Sequence, residues 1–154
     1  MSETSPRIPP NQRITSQFPV LHYGNVPKFN SETWDFRVEG LVENSLKLSY
    51  DEFLRLPKSI SVSDFHCVTG WSRLSNRWEG VLFKTICDLV KPLKEALYVT
   101  IACENEYTTS LPFADLLDSD VILAYRLDDK PLPLDHGGPL RLVVPKKYAY
   151  KSAK

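Results

Sequence analysis

Long apolar runs are missing from this 154-residue chain, and none approaches the roughly 20 residues that a membrane span needs. Neither sign of charge is in excess: 19 Lys and Arg balance 19 Asp and Glu, so the formal net charge is zero. A general nucleic-acid binder normally carries a basic surplus, which argues against that class. Cysteine is sparse. Cys67, Cys87 and Cys103 are odd in number and form no C-x-x-C pair, which argues against a disulfide framework or a structural zinc site. Three reduced, mostly buried thiols are expected. The histidines, His22, His66 and His136, show no H-x-x-x-H or H-E-x-x-H spacing, so a helical zinc motif is not indicated. The N-terminal MSETSPRIPPNQRITSQ has no apolar core region and no twin-arginine pair, and a cytoplasmic location is expected. Glycine is scarce, with 6 residues against 12 prolines. That balance suggests rigid loops and fits poorly with a long all-helical protein.

What is present reads as one soluble domain. Apolar residues make up 42% and charged residues 25%, ordinary values for a globular chain. A chain of this size buries about two thirds of its unfolded surface. Residues 1–17 are polar and aperiodic, with three prolines, and read as a flexible or extended arm. The apolar, proline-broken stretch 18–27 should lie on the domain. Trp34, Phe36 and Val38 alternate with charged residues, as in a half-buried strand. Ser49-Tyr50-Asp51-Glu52 is a capping box that opens a short helix ending before Pro57. Residues 60–68 read as a strand leading to Cys67 and a turn-like exit, Thr69-Gly70-Trp71-Ser72. Leu82, Phe83, Ile86, Leu89 and Val90 recur at helical spacing, and Pro92 ends that helix. Leu97, Val99, Ile101 and Cys103 alternate as a strand; 112–117 is a short helix, 121–127 a strand, 128–131 a turn, and 140–144 the last clear strand. The class is α+β, with no internal repeat.

The charges are unevenly placed. Glu104 to Asp135 holds eight acidic and two basic residues, whereas the segment from His136 onward holds no acid and five bases, Arg141, Lys146, Lys147, Lys151 and Lys154. Such a cluster is either a solvated tail or an anion cradle. Cys87 lies in a helical apolar stripe and Cys103 at a strand end, so both suit packing. Cys67 is different. As a thiolate it suits a transition metal, but most ligands would then have to come from a cofactor. As a hydrolase nucleophile it would need His22 or His136 as base, because the adjacent His66 points to the opposite face of a regular strand.

Four blocks then resemble one family in order and spacing. They are FPVLHYGNVP (18–27) with WDFRVEG (34–40), DFHCVTGWS (64–72) with RWEGV (77–81), YTTSLP (107–112) with VILAYRLDDKPLP (121–133), and HGGPLRLVVPKKYAYKSAK (136–154). Together they resemble the sulfite-oxidase superfamily of molybdopterin-dependent oxidoreductases, including its bacterial sulfoxide-reductase-like branch. The resemblance implies a molybdopterin-binding domain of mixed β-sheets and short helices over residues 18–154, without the C-terminal continuation of relatives. It implies a molybdenum–pyranopterin cofactor, with Cys67 as the thiolate ligand of the metal. His22, Tyr23 and Gly24 match the segment that contacts the pterin, His136 and Arg141 the G-x-P-[LV]-R block that binds the cofactor, and Ser152, Ala153 and Lys154 the loop that receives its phosphate. Tyr107 matches a tyrosine beside the substrate pocket. The implied activity is two-electron oxygen-atom transfer on a small oxyanion, S-oxide or N-oxide, with a separate electron-transfer partner. The alternative is a non-catalytic domain of the same fold that binds the pterin or a partner. One departure is expected to matter. Sulfite oxidases often follow the metal cysteine with an arginine pair, whereas here the first arginines are Arg73 and Arg77. A small oxyanion would lack those charges unless Arg73 or Arg77 folds back. Trp71 lines an apolar pocket or fills the core.

Overall fold

The computed structural model describes residues 13–14, 29–66, 71–104, 107–134 and 138–145. Most of the architecture hangs on one strand, β5 (Trp71–Leu82). It pairs antiparallel with β4 (Ser59–His66) along one edge. Along the other edge it meets β1 (Arg13–Ile14), parallel, at Trp71 and Ser72, and β8 (Ile122–Leu127), antiparallel, from Trp78 to Leu82. The far edge of β8 carries β9 (Lys130–Pro131) and β10 (Arg141–Val143), completing a six-stranded sheet. Two small antiparallel sheets pack beside it: β2 (Asp35–Val38) with β3 (Leu46–Ser49), and β6 (Tyr98–Ala102) with β7 (Thr108–Pro112). The helices are short, and the fold is mostly β. Among the described residues, no helix is long and apolar enough to cross a membrane.

Local chemistry accounts for the helices. In α1 (Tyr50–Leu54) the Ser49 hydroxyl accepts the Glu52 amide at 3.2 Å, and the Glu52 carboxylate accepts the Ser49 amide at 2.9 Å. Both bonds satisfy amides that a helix start leaves orphaned. Hydrogen bonding from the Ser49 amide, and then from the Ser49 hydroxyl, holds the Glu52 carboxyl below its ordinary pKa. In α2 (Phe83–Val90) no side chain caps the start; the Phe83 amide donates instead to the Val121 carbonyl at 3.1 Å. The helix ends on Lys91, in the left-handed region at φ 51°, just before Pro92. The short helix expected at 112–117 is a 3-10 turn, Phe113–Leu117, that buries Leu116.

The larger core gathers around Phe53 of α1. Phe36 and Tyr125 meet its ring edge-on, at centroid distances of 5.1 and 6.5 Å. Val81, Ile86, Val90, Leu111, Leu116, Val121, Leu123, Leu142 and Val144 complete this cluster. A smaller cluster, Trp78, Ile122, Ala124, Leu132 and Val143, occupies the opposite face of the sheet. Alternation assigns the faces: Ile122 and Ala124 go one way, Val121 and Leu123 the other.

Two glycines are required by close approach. A Cβ on Gly80 would lie 2.0 Å from the Leu123 carbonyl oxygen, where β5 and β8 shift register between Glu79 and Gly80. A Cβ on Gly138 would lie 2.2 Å from the Leu132 carbonyl oxygen, and the Gly138 amide donates to the Pro133 carbonyl at 2.9 Å. This second contact seats Gly138, three residues before β10, against Leu132 and Pro133.

Candidate cofactor site

Among the described residues, the smaller-cluster face of the sheet carries three of the five buried polar side chains, Ser61, Asn76 and Arg141. Ser61 of β4 sits opposite Trp78 of β5, and Ser63 opposite Asn76. Arg141 of β10 sits opposite Ala124 of β8. Ser61, Asn76 and Arg141 are all buried, and so is Trp78 between them. The Ser61 hydroxyl donates to the Asp120 carbonyl at 3.2 Å. Polar burial is tolerated only where hydrogen bonds replace water, so such a face marks a specialised surface. The partner face of β4 is inverted by comparison: Ile60 and Val62 point to solvent.

A bulge decides which β5 side chains reach this face. Between its pairs Phe65↔Arg73 and Ser63↔Asn76, β5 spends three residues where β4 spends two. The surplus is absorbed at Ser75, which is left-handed at φ 56° and whose amide donates to the Asp64 carboxylate at 2.8 Å. Asn76 secures the kink through its Nδ2, which donates to the Arg73 carbonyl at 2.8 Å and the Ser63 carbonyl at 3.1 Å. The extra residue flips the parity of everything before it. Arg73 therefore shares the face of Asn76, and its Nη1 donates to the Asn76 side-chain oxygen.

Arg141 is the buried charge of the face, 4% exposed, with its guanidinium carbon 5.5 Å from the Trp78 ring centroid. That distance is within cation–π range. Desolvation pushes its pKa down to about 9, which the neighbouring Cys103 partly opposes. The guanidinium thus stays charged at neutral pH. Cys103 directly follows β6, and its amide donates to the Tyr107 carbonyl at 2.9 Å, closing the β6–β7 hairpin. Tyr107 is half-buried there and packs against the larger cluster. Burial pushes the Cys103 thiol up to about 11, with the Arg141 charge pulling the other way, and burial with Asp88 raises the Cys87 thiol to about 11. Both are neutral packing thiols at physiological pH, as the sequence suggested. Arg141 also lines a cavity of about 1090 Å³, walled by Phe36, Phe83, Ile101 and Leu140 and carrying Arg37 with Asp35, Glu39, Glu95 and Glu104. It is largely apolar, and four acids against two arginines suit an anion less well than the polar sheet face does.

Of the residues singled out in the sequence, Arg141 and Tyr107 fall among those described, and both adjoin Cys103. His22, Tyr23, Gly24, Cys67, His136, Ser152, Ala153 and Lys154 lie outside the described residues, as do the lysines of the basic cluster and the side chain of Trp71. Trp71 and Ser72 begin β5 rather than ending a turn. Neither Arg73 nor Arg77 is held as an open charge. Arg73 Nη2 meets Asp128 Oδ2 at 2.6 Å, and Arg77 Nη1 pairs with Asp129 Oδ1. Trp78, Asn76 and Ser61 were given no role from sequence. The available signal was weak: RWEGV stood out as a block, but nothing local says that its tryptophan underlies an arginine 63 positions later.

The family model of the oxidoreductase molybdopterin-binding domain matches residues 23–154. The chain belongs to that family. It is 45% identical over 154 residues to the uncharacterized oxidoreductase YuiH of Bacillus subtilis, covering 99% of this chain and 78% of that one. It is 34% identical over 150 residues to the putative protein-methionine-sulfoxide reductase subunit YedZ1 of Azospira oryzae, covering 96% and 57%. It is 30% identical over 143 residues to the protein-methionine-sulfoxide reductase catalytic subunit MsrP of Campylobacter jejuni, covering 82% and 48%. The chain thus spans about half the length of these two reductases. The crystal structure of the sulfane dehydrogenase SoxCD from Paracoccus pantotrophus superposes with a TM-score of 0.76 over 86% of this chain and 39% of that one, at 20% identity. The sulfite-oxidase-like fold expected from sequence is therefore the fold observed.

The residues present fit the cofactor that the family name implies. A molybdopterin carries a phosphate and a ring system rich in hydrogen-bonding edges. The polar face supplies a buried guanidinium, whose fork suits phosphate oxygens, beside serine and asparagine. Among the described residues no group of three or more His, Cys, Asp or Glu is placed to hold a metal ion. Cys67, the ligand that the resemblance assigns, lies outside them.

Proposed function

We propose that this domain is a molybdenum-cofactor-dependent oxidoreductase that carries out two-electron oxygen-atom transfer on small oxides of sulfur or nitrogen. The observation that carries the reading is the buried Arg141 over Trp78 on the polar sheet face, in a chain whose family is named for molybdopterin binding. The cofactor would supply the redox chemistry: an S-oxide, two electrons and two protons give a sulfide and water. This chain's residues would bind and orient. Arg141 holds an anionic part of the cofactor, and Trp78 holds Arg141 in place. Cys67 would ligate the metal. His22, Tyr23, Gly24 and His136 would contact the pterin, Ser152, Ala153 and Lys154 its phosphate, and Tyr107 the substrate. The methionine-sulfoxide reductase names of two relatives favour an S-oxide. Electrons would arrive from a separate donor. A cytoplasmic location belongs to this proposal, and cell fractionation tests it.

The decisive experiment is expression in a cofactor-producing host followed by metal analysis and a substrate screen with a reduced artificial carrier. Molybdenum near one atom per chain with turnover of S-oxides is the expected result. Molybdenum without turnover on any oxide or on sulfite would leave a non-catalytic pterin-binding domain as the better reading. No molybdenum, with hydrolysis of esters or amides abolished in Cys67→Ser, would make the cysteine hydrolase the better one.

A further inference from the structure

The turn between β8 and β9 is two residues, Asp128 and Asp129, flanked by the pair Leu127↔Lys130. Both residues are left-handed, at φ 50° and 68°. This is the type I′ geometry that hairpins favour and that aspartate tolerates. It aims two carboxylates back across β5. Asp128 bridges two groups: its Oδ2 takes Arg73 Nη2 at 2.6 Å, and its Oδ1 takes the Arg77 amide at 3.0 Å. Asp129 pairs with the Arg77 guanidinium. The bulge at Ser75 has already turned Arg73 onto the face of Asn76 and Trp78. On that face Arg73 is thus matched by the Asp128 carboxylate on a stiff turn, while Arg77, opposite Val62, lies with Asp129 on the other face of β5.

We propose that Asp128 sets the charge preference of the site: by neutralising Arg73 it suits the site to a neutral oxide and disfavours a small oxyanion such as sulfite. The inference rests on the oxygen-transfer reading and names the substrate class within it. A small oxyanion that leaves water must find compensating cations. Here Arg73, the arginine nearest in sequence to Cys67, already spends its charge on Asp128. A neutral S-oxide asks only for hydrogen bonds.

The test compares the native chain with Asp128→Asn, and with Asp129→Asn, which uncovers Arg77 on the opposite face, as the control. Asparagine keeps the shape and tolerates the left-handed turn while removing the charge. On loaded enzyme the measurements are kcat/KM for dimethyl sulfoxide and the inhibition constant for sulfite at low ionic strength. Asp128→Asn should bind sulfite about tenfold more tightly, an effect that salt erases, and Asp129→Asn should not. On metal-free protein, sulfate should raise the melting temperature more in Asp128→Asn than in the native chain. Should Asp128→Asn fail to fold, Asp128→Gly, which also accepts the left-handed turn, gives the same comparison. Efficient sulfite oxidation by the native enzyme would overturn the proposal, and so would a folded Asp128 variant with unchanged sulfite and sulfate affinity. Absence of molybdenum or of any turnover would instead defeat the oxygen-transfer reading, and the sulfate shift would still decide whether Asp128 masks Arg73.

Discussion

The two faces of the six-stranded sheet are built to different ends. One is closed by Phe53, Leu111, Leu116 and Leu123, with aromatic rings edge-on to each other and few polar atoms. The other buries Trp78, Ile122 and Val143 but also Ser61, Asn76 and a charged Arg141. Apolar packing lowers the free energy of the fold outright, whereas a buried guanidinium raises it unless its contacts compensate. The first face therefore carries stability, and the second holds groups ready for something other than stability.

Cutting into the first face should give the largest effect. Phe53→Ala removes a fully buried ring that α1, β2 and β8 share, and should cost about 3–5 kcal/mol. Urea denaturation would measure it, and any protein that stays folded in the cold should keep its cofactor content. Gly80→Ala joins the faces, because its new methyl meets the Leu123 carbonyl. Prising β5 from β8 should cost about 1–3 kcal/mol and loosen both clusters, visible as faster amide exchange in β5 and β8 alike.

Smaller still is the acid response of the β8–β9 turn. Burial would raise the Asp128 carboxyl, but the Arg73 bond, the Arg77 amide and the Arg73 charge outweigh it and leave the pKa lowered. A lowered folded value gives stability that is present above the ordinary carboxyl range and lost as pH falls through the folded value. The loss should appear below about pH 4, in urea midpoints taken from pH 6 down to 3. Asp128→Asn should flatten that slope, and salt should shrink it, since the carboxylate is 41% exposed. Least affected in stability should be Arg141→Met, which replaces a buried charge by an apolar chain of similar reach. Its melting temperature should stay level or rise while bound molybdenum falls sharply. A variant that loses stability but keeps its metal would erase the contrast between the faces.

Much of the apolar face was legible in the sequence. Ser49 and Glu52 marked α1, the helical spacing from Leu82 to Val90 marked α2, alternation marked β2 and β6, and short apolar stretches marked β8 and β10. The strand that organises the sheet was not. Between Trp71 and Leu82 stand Ser72, Arg73, Ser75, Asn76, Arg77, Glu79 and Gly80, because one edge of β5 meets a polar face and a bulge breaks its period. Strands β3 and β7 were missed for brevity: four or five residues, no longer than a loop. At the site, Arg141 was identified through resemblance to a family block, but its platform was not. The meeting of Trp78 with Arg141 depends on β8 lying between their strands, a pairing that no local pattern encodes. The pairing of Arg73 and Arg77 with Asp128 and Asp129 is of the same long-range kind.

The bulge at Ser75 has an evolutionary consequence. Strand parity counts residues, so one codon gained or lost at this point exchanges the two sides of everything upstream in β5. Removing Ser75 would bring Ser72 to the side where Arg73 now stands and send the arginine to the opposite one. A single in-frame deletion would thus rewrite the electrostatics at the approach to the site without altering any other residue, a shorter path to a new substrate than rebuilding a pocket by point mutation.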